Sequence, residues 1–280
     1  MKGVIVAAGY GTRFLPVTRA LPKEMLPLLD RPSIDFIVEE FIDAGITEIL
    51  IISSRRKKVM EDWFDWDKEL QAVFKQEGAQ AKLRKLVPPR ANVHFVRQQR
   101  MEGTGHAILL AKSFVGNDPF VVAYPDDLFG PPNCTAQLIE THQRTGRAVL
   151  SAHDLTGHDV SRYGVLDVEN DEAGLRLERI VEKPELGTEP SHLISLGRYL
   201  FTPTLFAELE RGLQTHEGGE YYHIGAINHL AALGEVAVCI VDAPRSDTGD
   251  LLGYAKTFVQ VALADERIGA DLREWLKTQS

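Results

Sequence analysis

The sequence of 280 residues predicts an α/β protein whose mostly parallel sheet is covered by helices on both faces. Short, nearly continuous apolar segments alternate with segments of helical periodicity, which is the pattern of buried parallel strands joined by helices. Stretches rich in glycine and proline stay short, and no segment is repeated. We therefore expect one continuous domain over residues 1–280, without an internal linker.

The first half of the chain carries the clearest signals. Strands are predicted at residues 4–8, 48–53, 93–96 and 120–123, where short apolar runs occur. One helix is expected to begin at Ser33, a residue type that caps helix N-termini, and to end at Gly45; another covers residues 107–114. The long, charged and aromatic stretch 55–89 is expected to form one or two helices inserted between strands.

The second half of the chain is less regular. Strands are predicted at residues 163–168, 175–182, 193–201 and 236–241. Helices are predicted at residues 203–212, 222–233, 249–264 and 268–277. No element is assigned between residues 124 and 162.

Composition excludes several classes of protein. Apolar residues make up 44% of the chain, yet no apolar run approaches the roughly 20 residues of a membrane span. The net charge of −9 argues against non-specific binding to nucleic acid, which requires clustered Lys and Arg. A strand-like segment follows Met1 directly and leaves no room for a signal peptide, so we expect a cytoplasmic protein. Cys134 and Cys239 have no CxxC companion and are expected to be reduced, and no zinc-site spacing occurs.

A glycine-rich turn, AGYGTR at residues 8–13, follows the first predicted strand. Small residues there let backbone N–H groups approach phosphate oxygens. Phe14 stands where a dinucleotide fingerprint needs a third glycine, and no P-loop lysine follows. Arg13 favours phosphate binding over a simple tight turn, because a guanidinium can grip phosphate oxygens bidentately.

Two opposite charges, Lys23 and Glu24, stand between Pro22 and Pro27. The prolines suggest a stiff loop that aims both side chains at chosen partners, with a solvated loop as the alternative. Asp126 follows the predicted strand 120–123, at the edge of an open α/β sheet where ligands bind. Alone, such a residue is more often a cap or turn residue.

Ten short blocks occur along nearly the whole chain: AAGYGTRFLP (7–16), TR (18–19), PKE (22–24), RQ (97–98), GTGHA (103–107), PDD (125–127), YGV (163–165), VEKP (181–184), GRY (197–199) and DTGD (247–250). Together and in this order, they resemble the signature of bacterial UTP–glucose-1-phosphate uridylyltransferases, or UDP-glucose pyrophosphorylases. The resemblance implies a Rossmann-like nucleotide-diphospho-sugar transferase fold with a mixed, mostly parallel central sheet flanked by helices. It also divides the domain into a nucleotide-binding half (about 1–130) and a sugar-binding half with C-terminal helices (about 131–280).

The family's reaction transfers a uridylyl group from UTP to glucose 1-phosphate and yields UDP-glucose and pyrophosphate. The resemblance implies Mg²⁺ as the cofactor, with Asp126 and Asp247 as its ligands, since two carboxylates from separate loops leave places for water and phosphates. Arg13, Lys23 and Lys183 are the implied catalytic cations, and Lys183 also binds the sugar phosphate. The implied substrate-binding positions are Ala8, Gly9, Gly11, Glu24, Gln98 and Gly103 for the nucleotide, and Asp127, Gly164 and Glu182 for the sugar. His106 is expected to be structural, and Asp250 is expected to cap the helix that follows it.

The match to the family breaks at residues 221–225. The family usually has Ile-Gln-Leu-Thr-Asp where this chain has Tyr-Tyr-His-Ile-Gly, and Ser246 replaces a common aromatic residue. If the segment touches the sugar, loss of the Thr-Asp pair predicts broader tolerance of other hexose 1-phosphates. A phenol of Tyr221 or Tyr222 could instead replace the lost polar contacts.

Other functions compatible with the sequence are a related nucleotidyltransferase using dTTP, CTP or another sugar, and a regulatory paralogue with little turnover. Retention of the implied catalytic and metal positions speaks against the paralogue. The resemblance also allows a homo-oligomer. Neither a nucleic acid nor a membrane is expected as a partner.

Overall fold

A nine-stranded sheet runs through both halves of the chain in the computed structural model, which describes residues 1–279. The strands are β1 (Lys2–Val6), β2 (Pro27–Leu28), β3 (Arg31–Pro32), β4 (Glu48–Ser53), β5 (Asn92–Arg97), β6 (Phe120–Ala123), β7 (Asp127–Phe129), β8 (Ala148–Asp154), β9 (Gly164–Asp171), β10 (Gly174–Glu182), β11 (Leu193–Phe201), β12 (Val236–Ile240) and β13 (Arg245–Asp247). The helices are α1 (Ser33–Asp43), α2 (Val59–Phe64), α3 (Lys68–Gln76), α4 (Gln80–Arg84), α5 (Thr104–Leu109), α6 (Lys112–Val115), α7 (Cys134–Thr145), α8 (Thr204–Gln214), α9 (Ile224–Ala232), α10 (Leu251–Ala264) and α11 (Gly269–Lys277). Short 3₁₀ turns lie at Thr12–Phe14, Val17–Arg19, Lys23–Met25 and Arg55–Lys57.

The strand order of the large sheet is β5-β4-β1-β6-β11-β8-β12-β10-β9. The first four strands are parallel to one another, and so are β8 and β12. Only β10 and β11 run against the other seven strands of this sheet. The predicted mixed, mostly parallel sheet is therefore confirmed. Two separate two-stranded ribbons, β2–β3 and β7–β13, lie outside it.

Helices cover both faces of the sheet, as the strand sequences require. Along β1, Val4 and Val6 belong to one buried cluster, whereas Ile5 packs in the other. The first cluster includes side chains of α5, α6, α8 and α9, and the second includes side chains of α1 and α7. Because successive side chains of a strand point to opposite faces, a continuous apolar run is what a strand covered on both sides needs.

The predicted elements agree with the structure to within about three residues at their ends, with the following differences. The stretch 55–89 holds three helices rather than one or two, and the helix predicted at 107–114 begins at Thr104 and is split into α5 and α6. The short strands β2, β3 and β13 have no predicted counterpart, and β7, α7 and β8 lie between residues 124 and 162, where no element is predicted. The predicted cap of α1 is also wrong, because Pro32 occupies the N-cap and the hydroxyl of Ser33 donates to the carbonyl of Glu24 at 3.0 Å.

A buried ion pair ties helix α1 to the middle of the sheet. Arg198 on β11 is fully buried, and its guanidinium donates to both carboxylate oxygens of Glu40 on α1, at 3.0 and 2.7 Å. Thr135 on α7 donates to the same carboxylate through its amide and its hydroxyl, at 3.1 and 2.6 Å. Arg198 also donates to the carbonyl of Asp127 at 3.2 Å, so this core network supports a loop at the sheet edge.

Neither Cys134 nor Cys239 forms a disulfide among the described residues; Cys134 is buried and Cys239 is partly buried. Within residues 1–279, no helix has the length and apolar character that a membrane crossing requires.

Candidate active site

The glycine-rich turn lies where β1 leaves the sheet, between the ends of β4 and β6. Gly11 has a φ of 65°, a conformation that glycine adopts without steric cost, and its carbonyl accepts from the hydroxyl of Thr18 at 2.9 Å. A Cβ on Gly11 would lie 3.2 Å from Thr18 and 3.5 Å from Lys23, so this glycine also permits close packing. Phe14 is buried at the end of the turn, while Arg13 is left exposed at the sheet edge.

The two predicted metal ligands converge beside Gly249. A Cβ placed on Gly249 would lie 3.0 Å from Asp247 Oδ1 and 3.3 Å from Asp126 Oδ2. The same point is 3.5 Å from Nη1 of Arg13, which donates to the carbonyl of Gly249 at 3.4 Å. The loop after β1, the loop after β6 and the end of β13 therefore bring two carboxylates and a guanidinium together, although 236 residues separate Arg13 from Gly249 in the chain.

Lys23 joins this group from a fourth segment. Its ammonium forms an ion pair with Oδ1 of Asp126, and the side chains of Lys23 and Asp126 are 17% and 35% exposed. The stiff loop predicted around Lys23 is the 3₁₀ turn Lys23–Met25, which begins after Pro22. This turn brings the ammonium of Lys23 to Asp126, in the loop that follows the carboxyl end of β6.

Arg245 links two of the acidic residues. In the β7–β13 ribbon, Asp127 stands opposite Asp247, and Arg245 donates to Asp127 Oδ1 at 2.5 Å and to Asp247 Oδ2 at 3.1 Å. The other oxygen of Asp127 accepts from the amide of Gly197 at 2.7 Å. Burial raises the pKa of Asp127, while the charge of Arg245 lowers it. Both oxygens of the implied sugar ligand Asp127 are therefore already bound by protein donors.

Asp126 and Asp247 together provide the ligands that a protein usually contributes to a Mg²⁺ site. Within residues 1–279, no three side chains of His, Cys, Asp or Glu are grouped so that they could hold a metal ion. Magnesium is commonly held by one or two carboxylates, with the remaining places taken by substrate phosphates and water. Asp126 Oδ2 and Asp247 Oδ1 match that donor set, and any further ligands would have to come from elsewhere.

Glu24 lies beneath the glycine turn rather than on its open side. It is 1% exposed, and both of its carboxylate oxygens accept from the ammonium of Lys57, at 2.7 and 2.8 Å. Lys57 also donates to the carbonyl of Ala7 at 2.5 Å. Burial lowers the pKa of Lys57, and the charge of Glu24 opposes that shift. The pair anchors the backbone from which Ala8 and Gly9 continue.

The predicted nucleotide residues Gln98 and Gly103 are in direct contact after β5. The carboxamide nitrogen of Gln98 donates to the carbonyl of Gly103 at 3.0 Å and lies 3.1 Å from Nδ1 of His106. Gly103 has a φ of 92°, and a Cβ there would lie 2.5 Å from the carbonyl oxygen of Tyr221. Only glycine therefore fits this turn, which packs directly on the segment where the family match breaks.

Gly164 and Glu182 stand opposite each other on the β9–β10 hairpin. A Cβ on Gly164 would lie 2.9 Å from Oε1 of Glu182, so the glycine keeps the carboxylate accessible on this side. Burial raises the pKa of Glu182, and the charge of the adjacent Lys183 opposes the shift. Lys183 has a φ of 46°, which is uncommon for a residue with a Cβ and is found mostly where function constrains the backbone.

The structure separates the roles of the residues at the break. Tyr221 is 7% exposed and donates to the carbonyl of Leu209 at 2.9 Å, so of the two phenols it is not the one that could replace the lost polar contacts. Tyr222 is exposed, and its hydroxyl donates to Glu220 at 2.6 Å.

His223 is the buried polar residue of this segment. Its Nδ1 lies 2.7 Å from the hydroxyl of Thr104, in the turn that follows Gly103. Burial lowers the pKa of His223 to about 4, so the ring is neutral at pH 7.

Sequence reasoning missed three residues that organise the site. Lys57, His223 and Arg245 all act through contacts with segments far away in the chain. Arg245 had one usable signal, since it lies two residues before Asp247 and so shares a strand face with it. Predictions for Asp250 and the helix after it are confirmed, because Asp250 caps α10 by accepting from the amide of Gly253 at 2.8 Å.

Comparison with known proteins finds relatives and solved structures that cover nearly the whole chain. The family model described as nucleotidyl transferase matches residues 2–263. A Staphylococcus epidermidis protein named UTP–glucose-1-phosphate uridylyltransferase is 41% identical over 281 aligned positions, covering 99% of this chain and 97% of the relative. A UDP-glucose pyrophosphorylase from Acinetobacter baumannii has 31% identity and a TM-score of 0.89, covering 100% of this chain and 99% of that chain. A UTP-bound form from that organism has 31% identity and a TM-score of 0.88, covering 98% of each chain.

Proposed function

The chain belongs to the nucleotidyl transferase family, and we propose that it transfers the uridylyl group of UTP to glucose 1-phosphate, forming UDP-glucose and pyrophosphate. The convergence of charged groups beside Gly249 is the observation that carries this proposal. Two carboxylates and Arg13 meet there, with Lys23 on Asp126, at the sheet edge where α/β proteins bind nucleotides. A triphosphate is the substrate that such a mixture of cations and metal-binding carboxylates suits.

The chemistry requires no protein nucleophile. An oxygen of the sugar phosphate attacks the α-phosphorus of UTP, and the bond from that phosphorus to the pyrophosphate oxygen breaks. Arg13 and Lys23 bind the triphosphate and offset the negative charge that develops, while Lys183 holds the sugar phosphate in line with the bond that breaks. Asp126 and Asp247 would hold a Mg²⁺ ion. When bound, Mg²⁺ supplies charge neutralisation at the phosphates.

The remaining contacts divide between base and sugar. Backbone groups of Ala8, Gly9 and Gly11, together with Gln98 and Gly103, bind the uridine; Glu182 and Gly164 face the sugar. Glu182 accepts from sugar hydroxyls, and Asp127 acts mainly by fixing Arg245. The substrates are intracellular metabolites, and we place the protein in the cytoplasm on that ground.

A panel of substrates tests the proposal. With Mg²⁺ and glucose 1-phosphate, we expect pyrophosphate release from UTP to exceed release from ATP and GTP by at least about 10²-fold, because the Gly103 turn approaches the base too closely for a purine. A preference for ATP would contradict this view of the pocket. Discrimination against dTTP is expected to be weaker, since one methyl group is worth only about 1–3 kcal/mol.

The same assay tests the sugar. Glucose, galactose and mannose 1-phosphates are compared in the native chain and in an Ile224→Thr, Gly225→Asp double variant, which is sterically possible because a Cβ on Gly225 would meet no heavy atom within 4 Å. We expect narrower sugar preference in the double variant. Strict glucose preference in both proteins would show that residues 221–225 do not select the sugar.

Replacement of Lys183 by methionine tests the sugar-phosphate anchor. Methionine keeps much of the stem and removes the charge, so kcat/KM for glucose 1-phosphate should fall by at least about 10²-fold while UTP affinity changes little. The matched control is Lys58→Met at an exposed lysine, which should behave as the native protein. Equal loss of affinity for both substrates, measured by isothermal titration, would remove Lys183 from this role.

We also propose that the chain self-associates through α10. This helix exposes Leu251, Leu252, Phe258 and Val259 at helical spacing, with exposed fractions from 37% to 64%, and such stripes usually mark contacts. Leu252→Glu should lower the mass measured by light scattering to that of a monomer. The control Leu186→Glu alters a leucine that is 77% exposed on another part of the chain, and it should leave the mass unchanged. A monomeric native protein would refute this interface.

A further inference from the structure

We infer that, in the free protein, the ammonium of Lys23 pairs with Asp126, one of the two proposed metal ligands. This ion pair weakens the binding of a divalent metal ion until a triphosphate is bound. The inference rests on the proposed function, because it assigns the order in which that site fills. Lys23 thus has a second role beyond phosphate binding: it excludes the divalent ion until an anion draws it away.

The contact that carries the inference is the ion pair between Lys23 and Asp126 Oδ1. The remaining oxygen of this carboxylate, Oδ2, points to the place where Asp247 Oδ1 also converges. A monocation on one oxygen of Asp126 lowers the attraction of the same carboxylate for a divalent cation, since both compete for one negative charge. The side chain of Lys23 is only 17% exposed, so water screens this competition incompletely.

The local charge balance points in the same direction. Asp126, Asp247 and Asp127 supply three negative charges, and Lys23, Arg13 and Arg245 supply three positive charges within direct contact of these carboxylates or of Gly249 beside them. The sum for these six side chains is zero. In the part of the chain that the structure describes, no third side chain of metal-binding type joins the pair. In the absence of a triphosphate, a divalent ion must therefore compete with Lys23 and Arg245, which already neutralise the two carboxylates.

Only one of the two counterions on the carboxylates can leave readily. Arg245 donates to Asp127 at 2.5 Å as well as to Asp247, and its side chain is 17% exposed beside the ring of Tyr163. Lys23 has a flexible four-carbon stem, and its ammonium is hydrogen-bonded to a single carboxylate oxygen. Loss of Arg245 would leave the buried carboxylate of Asp127 without its charged partner, which is costly, whereas Lys23 can exchange one anion for another. Arg245 is therefore the fixed counterion of Asp247, and Lys23 is the exchangeable counterion of Asp126.

A bound triphosphate removes the obstacle. In the proposed site its phosphates bring several negative charges next to the glycine turn, and the Cβ and Cγ atoms of Lys23 lie 3.5 Å from the position of a Cβ on Gly11 in that turn. Moving the ammonium to a phosphate frees Asp126 and replaces one ion pair by another. Binding of metal and binding of triphosphate then favour each other, and this coupling is reciprocal.

The test measures metal binding by the free protein, without substrates or turnover. Mn²⁺ is titrated into the full chain and followed by electron paramagnetic resonance. Removing the competing charge in Lys23→Gln should tighten Mn²⁺ binding by about tenfold or more, whereas Lys23→Arg, which keeps the charge, should bind Mn²⁺ as weakly as the native protein. Circular dichroism establishes that each variant is folded, and Lys23→Met replaces Lys23→Gln if that variant is not.

A double variant locates the bound ion. The gain in Lys23→Gln should disappear in Lys23→Gln, Asp126→Asn, because the freed carboxylate is then neutral. The inference is overturned if Lys23→Gln binds Mn²⁺ no more tightly than the native chain, or if the gain survives the Asp126→Asn change. Failure of the proposed function would instead show as absence of UDP-glucose formation, which this titration does not measure.

Discussion

Replacement of Asp126 by alanine is expected to lower kcat by a factor on the order of 10² to 10³, the scale of losing one main charge-stabilising group. Asp126 is the carboxylate that pairs with Lys23, and with Asp247 beside it is a ligand of the proposed Mg²⁺. Initial rates of pyrophosphate release at saturating UTP and glucose 1-phosphate provide the measurement. Excess EDTA should stop turnover of the native protein.

The matched control is Asp250→Ala in the neighbouring loop. Asp250 accepts from the amide of Gly253 as the cap of α10, so its loss should cost roughly 1 kcal/mol of stability and little activity. If Asp126→Ala retained full activity, or if EDTA left the rate undiminished, the assignment of a metal site to this edge would be wrong.

Replacement of Glu40 by alanine should give the largest loss of stability among single substitutions in the core network. It leaves the guanidinium of Arg198, which is 0% exposed, without its carboxylate, and breaking a buried pair typically costs about 3–5 kcal/mol. Urea unfolding followed by circular dichroism measures the free energy of unfolding. Because Arg198 also donates to the carbonyl of Asp127, we expect activity to fall with stability.

Two comparisons isolate the buried pair. The adjacent Glu39 is 54% exposed and pairs with Arg31, so Glu39→Ala should change the free energy of unfolding by less than about 1 kcal/mol. Glu40→Leu combined with Arg198→Met removes both charges and should be less destabilising than Glu40→Ala alone. A loss below about 1 kcal/mol for Glu40→Ala would show that water reaches Arg198 in solution.

The fold was largely predictable because its signals are local. Strand β4 was located to the residue, since its run of apolar residues is short and sharply bounded. Helix α7 also carries ordinary signals that the sequence analysis does not use, since Asn133 is its N-cap and Gly146 adopts the left-handed conformation at its C-terminus. Reversal of β10 relative to β9 has a local signal, because only two residues separate the strands and so short a connection joins antiparallel strands. Reversal of β11 relative to β6 and β8 has none, because their connections are longer.

The site was predictable only in part, because motifs identify residues but not their partners. Asp126 and Asp247 were named from their blocks, and the structure brings them together at Gly249. The partners of Glu24 could not be foreseen, since Lys57 stands 33 residues away in a segment with several basic residues. The sequence does not distinguish Tyr221 from Tyr222, because a tyrosine hydroxyl needs only one acceptor to be buried, and the hydroxyl of Tyr221 finds it in the carbonyl of Leu209.

Phosphorus NMR of a single reaction mixture tests the central claim most directly. The purified chain is incubated with UTP, glucose 1-phosphate and Mg²⁺, and the phosphorus signals are followed with time. Uridylyl transfer predicts that the signals of UTP and glucose 1-phosphate decline together while those of UDP-glucose and pyrophosphate grow in equal amounts. Formation of UDP and inorganic phosphate with glucose 1-phosphate unconsumed, or an unchanged spectrum from folded protein, would contradict the account.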